Sequence, residues 1–366
     1  MLRQYYPLRV DLISKLKLTN FRGIKQGEVD LSPLTVLVGS NNSAKTTLLE
    51  AIYLTQGPFH PAPYTILNPT PIGQPNQGSN VLNVLAYLHK TLNDQFSGAT
   101  FLLHNYVEKE AEITLDGGTY TLRIILTNPY TAVFIASPPN SNTQITIGER
   151  KITGLNLGAV GPSQVQLAAP PQPPPGSHTS LFYNPQLIKE GVGFLYNNWV
   201  SLVNSGVSKT VAQEVSELSN DEYVDLTAEP FVGGTNTLYA YTVEGRRIRL
   251  GDVGQGIQSY IVVRMLYEYT KPQILLWDDV ESHMNPRVLL KIADWFTTLI
   301  SQGVQVVVST HSLETVNTLL QTQEHARALL LSLNKGALGC KALDREYLEK
   351  LMTAGIDVRA AEGLPI

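Results

Sequence analysis

The chain has 366 residues, of which 43% are apolar, enough for a large core shared by two lobes. Its 27 basic and 31 acidic residues leave a formal net charge of −4, so no overall positive field attracts nucleic acid or an anionic membrane. Any DNA contact is therefore expected to be local. The single cysteine, Cys340, excludes a disulfide framework and a thiolate metal cluster. No apolar run approaches a membrane span, and the first residues lack the apolar core of a signal peptide, so a cytoplasmic location is expected.

The first elements follow from the spacing of apolar residues. Residues 12–38 alternate apolar and polar positions and end in an apolar run over 34–38, which predicts a hairpin leading into a buried strand. Helical spacing over 45–54 predicts a helix directly afterwards. Dense proline and glycine over 56–80 predict a long surface loop.

The middle of the chain predicts a change of lobe. Residues 81–93 predict a short helix, and 101–136 predict a set of strands. The proline-rich stretch 161–177 is typical of an extended connection. We therefore expect one lobe over 1–177 and a second over 178–366, together forming one composite head.

The second lobe predicts a parallel sheet. Its pattern indicates helices over 185–219, strands over 222–249 and a helix over 257–269. Two buried β-runs follow, at 274–277 and 304–309, each with a helical segment after it. Alternating strands and helices of this kind are typical of a parallel α/β sheet.

A phosphate-binding loop is predicted at 39–47, because this Gly-Ser-Asn-rich turn follows an apolar strand and opens a helix. Such a turn aims backbone N–H groups at the β-phosphate, while Lys45 adds charge at the β/γ oxygens and the Thr46 hydroxyl ligates Mg²⁺. Asn42 suits a left-handed position where glycine is common. Ala44 instead places a Cβ where the phosphate must approach closely. The predicted nucleotide-binding residues are Gly39, Asn41, Asn42, Ser43, Ala44, Lys45, Thr46 and Thr47.

Acidic residues at a strand tip complete the predicted chemistry. Asp278 and Asp279 follow the buried run 274–277, at the edge where ligands sit in open α/β sheets. We expect Asp278 to hold Mg²⁺ through water, and Asp279 to orient or deprotonate the attacking water. His311 follows the next buried run and is placed to donate to a γ-phosphate. Lys45, Asp279 and His311 are therefore the predicted catalytic residues.

A glycine-rich turn over 249–256 precedes the helix predicted at 257–269. Its backbone N–H groups at Gly254 and Gln255 would form a second helix start that faces an anion. Alone, this pattern is more typical of an ordinary loop.

The arginines beside this turn form the tight basic cluster Arg246, Arg247 and Arg249. They would suit contact with a phosphate backbone or a γ-phosphate. They would also suit an exposed hairpin edge, where charges discourage strand pairing. The sequence leaves both interpretations open.

Taken in order, five motifs resemble the ABC-type ATPases of the SMC/RecF/OLD group, and within it the small AAA-family ATPases called AAA_15 or AAA_21. The resemblance covers nearly the whole chain. It implies an α/β P-loop NTPase with an ABC-type head, whose mixed sheet joins an antiparallel N-terminal subdomain to a parallel core. The motifs are the entry LKLTNFRGI, the Walker A loop GSNNSAKTT, the signature LGDVGQG, the Walker B strand ILLWDDVESHMNP and the switch strand VVVSTHS.

The resemblance also implies a mode of assembly. In this group two ATP molecules, with Mg²⁺, lie between two head-to-tail subunits, so Gly254 and Gln255 would meet the γ-phosphate bound by the partner. The group usually carries glycine at Ala44, glutamate at Asp279 and serine near Asp252. Aspartate is one methylene shorter than glutamate, and a shortfall on the order of 1 Å can cost about 10²-fold in rate, so slow hydrolysis is expected.

The lobe I glutamine that reads Mg²⁺ in this group has two candidates, Gln144 and Gln164, and the sequence does not choose between them. The chain lacks heptads for coiled-coil arms, and no DxD pair for a fused Toprim nuclease follows His311. We therefore expect a cytoplasmic Mg²⁺-ATPase homodimer that gates a separate partner, a nuclease or toxin in repair or defence. Two alternatives stay open: a nucleotide-sensing module with little turnover, and a RecF-like DNA-repair clamp.

Overall fold

The computed structural model describes residues 12–66, 79–90, 98–116, 120–129, 131–137, 145–151, 178–219, 221–231, 236–323, 325–343 and 345–355. The strands within these ranges are β1 (Lys15–Phe21), β2 (Ile24–Asp30), β3 (Leu34–Val38), β4 (Pro61–Ala62), β5 (Ser79–Asn80), β6 (Glu110–Leu115), β7 (Tyr120–Asn128), β8 (Thr131–Ser137), β9 (Ile145–Lys151), β10 (Ser180–Tyr183), β11 (Tyr223–Pro230), β12 (Asn236–Thr242), β13 (Arg247–Arg249), β14 (Ile274–Trp277), β15 (Gln305–Thr310), β16 (Ala326–Asn334) and β17 (Ala337–Leu343). The helices are α1 (Lys45–Thr55), α2 (Val81–Leu88), α3 (Ile188–Asn197), α4 (Trp199–Asn204), α5 (Val207–Ser216), α6 (Gln255–Thr270), α7 (Pro286–Ser301), α8 (Leu313–Thr322) and α9 (Arg345–Thr353).

One twelve-stranded sheet runs through both predicted lobes, in the order β10-β14-β15-β3-β16-β17-β2-β1-β6-β7-β8-β9. Its first five strands are parallel, and β3 pairs with β15 on one side and β16 on the other. All five residues of β3 are buried, as expected for a strand covered on both faces. The carboxyl ends of β3, β14 and β15 therefore meet at one edge, which is the edge predicted to bind ligands.

The other half of the sheet is mostly antiparallel, apart from the parallel contact between β17 and β2. The β1–β2 hairpin aligns Phe21 with Ile24, and β1 pairs with β6, which begins the β6–β9 meander. This half supplies the predicted antiparallel N-terminal subdomain. The mixed α/β sheet with a parallel core is thus confirmed.

The helices cover the parallel half. Nearly every residue of α1 is buried, because α1 contacts β10, β14 and β15. The buried residues of α6 likewise run from Gly256 to Tyr267 with few gaps. Within the described residues, no helix combines the length and the apolar character needed to cross a bilayer.

Several sequence predictions need correction. The loop predicted at 56–80 contains the short β4–β5 pair, and residues 98–102 and 104–106 form 3-10 turns where strands were predicted to begin at 101. The strands β10, β16 and β17 were not predicted. The segment 161–177, and with it the lobe boundary at 177, lies outside the described residues, so that boundary stays a prediction.

Candidate functional site

The phosphate-binding loop connects β3 to α1. Asn42 has φ 69° and Ala44 has φ 73°, so both lie in the left-handed region. Asparagine tolerates this region, whereas alanine is strained there because its Cβ approaches the following carbonyl. Position 39 also requires glycine, because a Cβ there would lie 2.6 Å from the Leu331 carbonyl oxygen of β16. The strand beside β3 therefore shapes the start of the loop.

Lys45 sits inside this loop rather than in solvent. Its Nζ donates to the carbonyl oxygens of Gly39 at 3.0 Å and Ser40 at 2.7 Å, and the residue is buried. The loop thus gathers an ammonium group, successive backbone N–H groups and the N-terminus of an eleven-residue helix. That combination suits an oligophosphate.

Asp278 is the centre of a hydrogen-bond network at the tip of β14. It is 2% exposed, so its carboxylate needs close donors. The Thr46 hydroxyl donates to Oδ2 at 2.9 Å, the Asn184 amide donates to Oδ2 at 2.9 Å, and the Ser309 hydroxyl donates to Oδ1 at 2.5 Å. The network joins the tips of β10, β14 and β15 to the first turn of α1.

This network fits a magnesium ion. The hydroxyl of Thr46 and the carboxylate of Asp278 are hard oxygen donors, which Mg²⁺ prefers, and it usually takes few protein ligands alongside phosphate oxygens and water. No group of three His, Cys, Asp or Glu side chains within the described ranges has metal-binding geometry. An ion here would therefore rest on Thr46, Asp278 and the nucleotide.

Asp279 is half-buried beside the network and is held in place by its backbone. Its φ is 49°, and its N–H donates to Ser309 Oγ at 2.8 Å. Burial, with help from the carboxylates of Asp278 and Glu281, raises the pKa of Asp279 to about 6. A carboxylate with a pKa near the working pH is suited to general-base catalysis.

His311 lies on the other side of Asp279. Its Nε2 is 3.5 Å from Asp279 Oδ1, and its backbone N–H donates to Glu281 Oε1 at 2.6 Å. Glu281 therefore ties the turn after β14 to the turn after β15. Its other oxygen, Oε2, is buried without a hydrogen-bond partner, which adds to the negative field around Asp279.

The phosphate loop, Asp279 and His311 line one cavity of about 310 Å³. A neighbouring cavity of about 590 Å³ shares part of its wall and continues to Phe101 and Tyr106. The two together form a groove that leads from the phosphate loop toward an aromatic wall. The first cavity is lined by Arg22, Asn41, Asn42, Ser43, Ala44, Lys45, Thr46, Thr47, Asp279 and His311.

The predicted signature turn lies apart from this cavity. No residue from 250–256 is among those lining it, and Gly254 and Gln255 are exposed at the start of α6. A Cβ at Gly251 or Gly254 would meet nothing within 4 Å. The exception is Gly256, whose Cβ would lie 2.5 Å from the His283 carbonyl oxygen, so α6 starts tightly packed on the turn after β14.

The arginine cluster is paired with acids. Arg249 binds Asp252 in a two-bond fork, with Nε and Nη2 at 2.8 and 2.7 Å from the two carboxylate oxygens. Arg247 pairs with Glu229, and Arg246 with Glu244. These contacts favour the interpretation of the cluster as a charged hairpin edge over a bare phosphate-binding patch.

Sequence reasoning missed four side chains of the site. Asn184 ends β10, Ser309 and Glu281 lie inside motifs quoted above without a role, and Arg22 lines the phosphate cavity from the β1–β2 turn. The apolar run before Asn184 was the signal that would have revealed its strand end. Gln144 and Gln164 lie outside the described residues.

Comparisons with known proteins agree with this geometry. Residues 12–157 match the family model AAA_15, described as an AAA ATPase domain. Residues 213–317 match AAA_21, described as an AAA domain, putative AbiEii toxin, Type IV TA system. A search of curated proteins found no match.

Solved structures of Smc head domains are also similar. A head bound to the C-winged helix domain of ScpA is 14% identical, with 92% of this chain and 99% of that chain covered and a TM-score of 0.48. A head with an extended coiled coil from Pyrococcus furiosus is 12% identical, with 93% of this chain and 98% of that chain covered and a TM-score of 0.46. The head from Thermotoga maritima is 12% identical, with 91% of this chain and 99% of that chain covered and a TM-score of 0.43.

The assignment rests on the two sequence matches, one in each half of the chain, and on the site they enclose. A phosphate loop, a buried strand-tip aspartate hydrogen-bonded to the loop's Thr46, and a second acid with a raised pKa meet at one sheet edge. Residues 12–157 and 213–317 are thus similar to AAA ATPase domains, and the chain is an ATPase with a P-loop NTPase fold.

Proposed function

We propose that Mg²⁺-dependent ATP binding joins two copies of this chain head to tail in the cytosol, and that slow hydrolysis separates them. One observation carries the proposal. The phosphate cavity gathers Lys45, Asp279 and His311 but no residue of the signature turn, while Gly251 and Gly254 face open space. In a head-to-tail dimer, the signature turn of each copy would lie against the phosphate cavity of the other copy and complete its nucleotide site.

The signature turn has the chemistry for that contact. It opens α6, a sixteen-residue helix, and the N-terminus of a helix attracts anions through its N–H groups and its dipole. Gly254 and Gln255 would present these groups to the γ-phosphate bound by the partner. Because ATP would bind the closed state better than the open state, it shifts the equilibrium toward the dimer.

Hydrolysis in the closed state needs a base and a charge sink. Asp279 would take a proton from the attacking water as its oxygen bonds to the γ-phosphorus and the bond to ADP breaks. His311 would donate to a γ-phosphate oxygen, and Lys45 would neutralise charge at the β/γ bridge. Bound Mg²⁺, held by Thr46 and Asp278, would neutralise the phosphate oxygens. The short reach of Asp279 makes this step slow, so bound ATP acts as a timer.

The state of the dimer would control a separate partner. The matched AAA_21 model is described as an AAA domain, putative AbiEii toxin, Type IV TA system, which supports a role in a toxin–antitoxin system. That the dimer acts on a separate toxin or nuclease is part of the proposal. A DNA-linked role draws less support from this chain, because its net charge is −4 and its arginine cluster is paired with acids. The RecF-like clamp is therefore the weaker alternative.

The nucleotide-sensing alternative has a specific observation in its favour. Ala44 is strained in the loop that must approach the phosphate, and Asp279 is shorter than the usual glutamate. A chain of this type would dimerise on ATP and release almost no phosphate. Phosphate release measured with and without Lys45→Ala distinguishes it from a slow ATPase.

Sedimentation velocity tests the proposal. Wild-type protein and Asp279→Asn should sediment as monomers without nucleotide and as dimers with Mg²⁺-ATP, and the dimer of Asp279→Asn should persist longer. Lys45→Ala is the control and should stay monomeric with ATP. Dimers that ignore nucleotide, or monomers under every condition, would contradict the proposal.

A further inference from the structure

A buried cluster of three residues lies where the two cavities of the groove meet. Arg22 lines both cavities and belongs to the β1–β2 turn. Glu50 lies on α1, five residues after Lys45, and His89 follows α2 and lines the larger cavity. These three residues come from separate elements, and no sequence motif links them. We call this set the Arg22 clamp.

Glu50 is the anchor of the clamp. It is 1% exposed, and a carboxylate so deeply buried must be compensated by charge or by hydrogen bonds. It forms an ion pair with Arg22 Nη1, and His89 Nε2 lies 2.6 Å from its Oε1. Both partners reach it from other elements, so Glu50 joins the Walker A helix to the β1–β2 turn and to the end of α2.

His89 closes the triangle. Because its Nε2 donates to Glu50, its Nδ1 carries a lone pair, and Arg22 Nη2 lies 3.3 Å from that nitrogen. Burial, followed by the charge of Arg22, lowers the pKa of His89 to about 3. The imidazole therefore stays neutral at physiological pH and remains an acceptor for Arg22.

The backbone of Arg22 is fixed as firmly as its side chain. Its φ is 52°, the left-handed value required at the first central position of the two-residue turn between Phe21 and Ile24. Its N–H donates to the Leu102 carbonyl oxygen at 3.0 Å, and its own carbonyl oxygen is 3.0 Å from His104 Nδ1. The turn and these two hydrogen bonds fix the position from which the Arg22 side chain leaves the backbone.

The clamp also belongs to the wall of the groove. The His89 ring stacks on Phe101, with 5.5 Å between ring centroids and 30° between the planes, and Phe101 lines the larger cavity. A guanidinium carries five N–H donors in a rigid fork that matches phosphate geometry. The two contacts of the triangle use part of that fork, so Arg22 can bind phosphate while the clamp holds it.

We propose that Glu50 and His89 are positioning residues that hold the Arg22 guanidinium at the junction of the two cavities, where it binds the phosphate chain of the nucleotide. This inference rests on the proposed binding of ATP at the Lys45 loop. It assigns to Glu50 and His89 an effect on ATP affinity that acts through Arg22.

Calorimetric titration of the full chain with Mg²⁺-ATP tests the inference, with Asp279→Asn as the parent to block turnover. His89→Leu removes both hydrogen bonds of the imidazole and should weaken ATP binding about tenfold. His89→Gln keeps an amide donor for Glu50 and a carbonyl acceptor for Arg22, so it should restore most of the affinity. Arg22→Lys keeps the charge that Glu50 needs but lacks the fork, and should also weaken binding.

Glu214→Gln is the matched control for general loss of stability. Glu214 pairs with the buried Arg264 on α6, at 2.7 Å, away from both cavities. This variant should unfold at a lower temperature than its parent and bind ATP with the parental affinity. Circular dichroism checks the fold of each variant. If His89→Leu does not fold, Arg22→Lys carries the test, because it keeps the charge that Glu50 needs.

A double-mutant cycle separates positioning from a structural role. If His89 acts through Arg22, His89→Leu should not weaken ATP binding further when Arg22→Lys is already present. Additive losses, or parental affinity in His89→Leu, would overturn the inference. If Lys45→Ala abolishes binding while the clamp variants bind normally, this inference fails and the proposed function stands. If the parent binds no ATP, both fail.

Discussion

The phosphate end and the signature end of this ATPase are built in opposite ways. At the phosphate end, three side chains from separate elements converge on Asp278, which is 2% exposed and accepts hydrogen bonds from Thr46, Asn184 and Ser309. At the signature end, Gly254 and Gln255 are exposed. There, charged groups pair locally, as Arg249 does with Asp252.

The two ends differ in how far a single chain organises them before a ligand or a partner binds. The phosphate end is organised within one chain, because hydrogen bonds fix the groups that would meet Mg²⁺ and the β- and γ-phosphates before they bind. At the signature end, the N-terminus of α6 is exposed, so its N–H groups can bind an anion brought by a second copy of the chain. We therefore expect substitutions at the first end to act on chemistry, and substitutions at the second to act on assembly.

The largest effect is expected at the base of the phosphate end. Asp279→Asn removes the proton acceptor and should lower kcat by about 10²–10⁴-fold. ATP affinity and ATP-dependent dimerisation should persist, because Asp279 is not among the groups expected to hold the phosphates. Single-turnover hydrolysis beside equilibrium binding measures both. Equal loss of binding and turnover would show that Asp279 has another role.

The second-largest effect is expected from the length of the side chain at position 279. Asp279→Glu adds one methylene and brings the carboxylate on the order of 1 Å closer to the attacking water, so kcat should rise by up to about 10²-fold. Steady-state phosphate release at saturating ATP measures the change. A variant as slow as wild type would show that another feature, such as the strained Ala44 loop, limits hydrolysis.

The pH dependence tests the environment of Asp279. Burial and the neighbouring carboxylates raise its pKa to about 6, and the base acts only when ionised. As pH falls, the ionised fraction falls, so kcat/KM should decline about tenfold per pH unit below about 6 and level off above it. Glu281→Gln removes one source of negative field and should move this limb to lower pH. A profile that stays flat down to pH 5 would contradict the assignment.

The smallest expected effect concerns the stability of the loop. Ala44 has φ 73°, so Ala44→Gly relieves left-handed strain and should raise the free energy of unfolding by about 1 kcal/mol. Ala51→Gly, in the interior of α1, the helix that follows the loop, is the control and should lower the free energy of unfolding by at least about 1 kcal/mol. Denaturant unfolding measures both. Two variants that shift in the same direction would show that the strain at Ala44 is not significant.

The sequence predicted the groups that lie next to one another along the chain. The loop around Lys45 and the acids at Asp278 and Asp279 each follow an apolar strand, and that local pattern locates them at the sheet edge. The same pattern predicted β14, β15, α1 and α6. Local spacing was sufficient because each motif is contained within one strand, turn and helix.

Contacts between distant segments could not be predicted in this way. The strand β10 has four residues and follows a proline-rich segment, so Asn184 was not placed beside Asp278, 94 residues later. The apolar run of β16 suits a strand or a buried helix equally, and its pairing with β3 decides between them. The Arg22 clamp joins positions 28 and 39 residues apart through single residues, which leaves no periodic signal.

Complementation between two inactive variants tests the central claim most directly. Lys45→Ala disables the phosphate end, and Gly254→Glu places an acid on the open signature end, where a new side chain meets no neighbour. Each variant alone should be inactive. In a mixed dimer, the intact loop of one chain faces the intact signature of the other, so an equimolar mixture should recover about a quarter of wild-type ATPase activity. A mixture that stays inactive, or full activity in Gly254→Glu alone, would contradict a site shared between two chains.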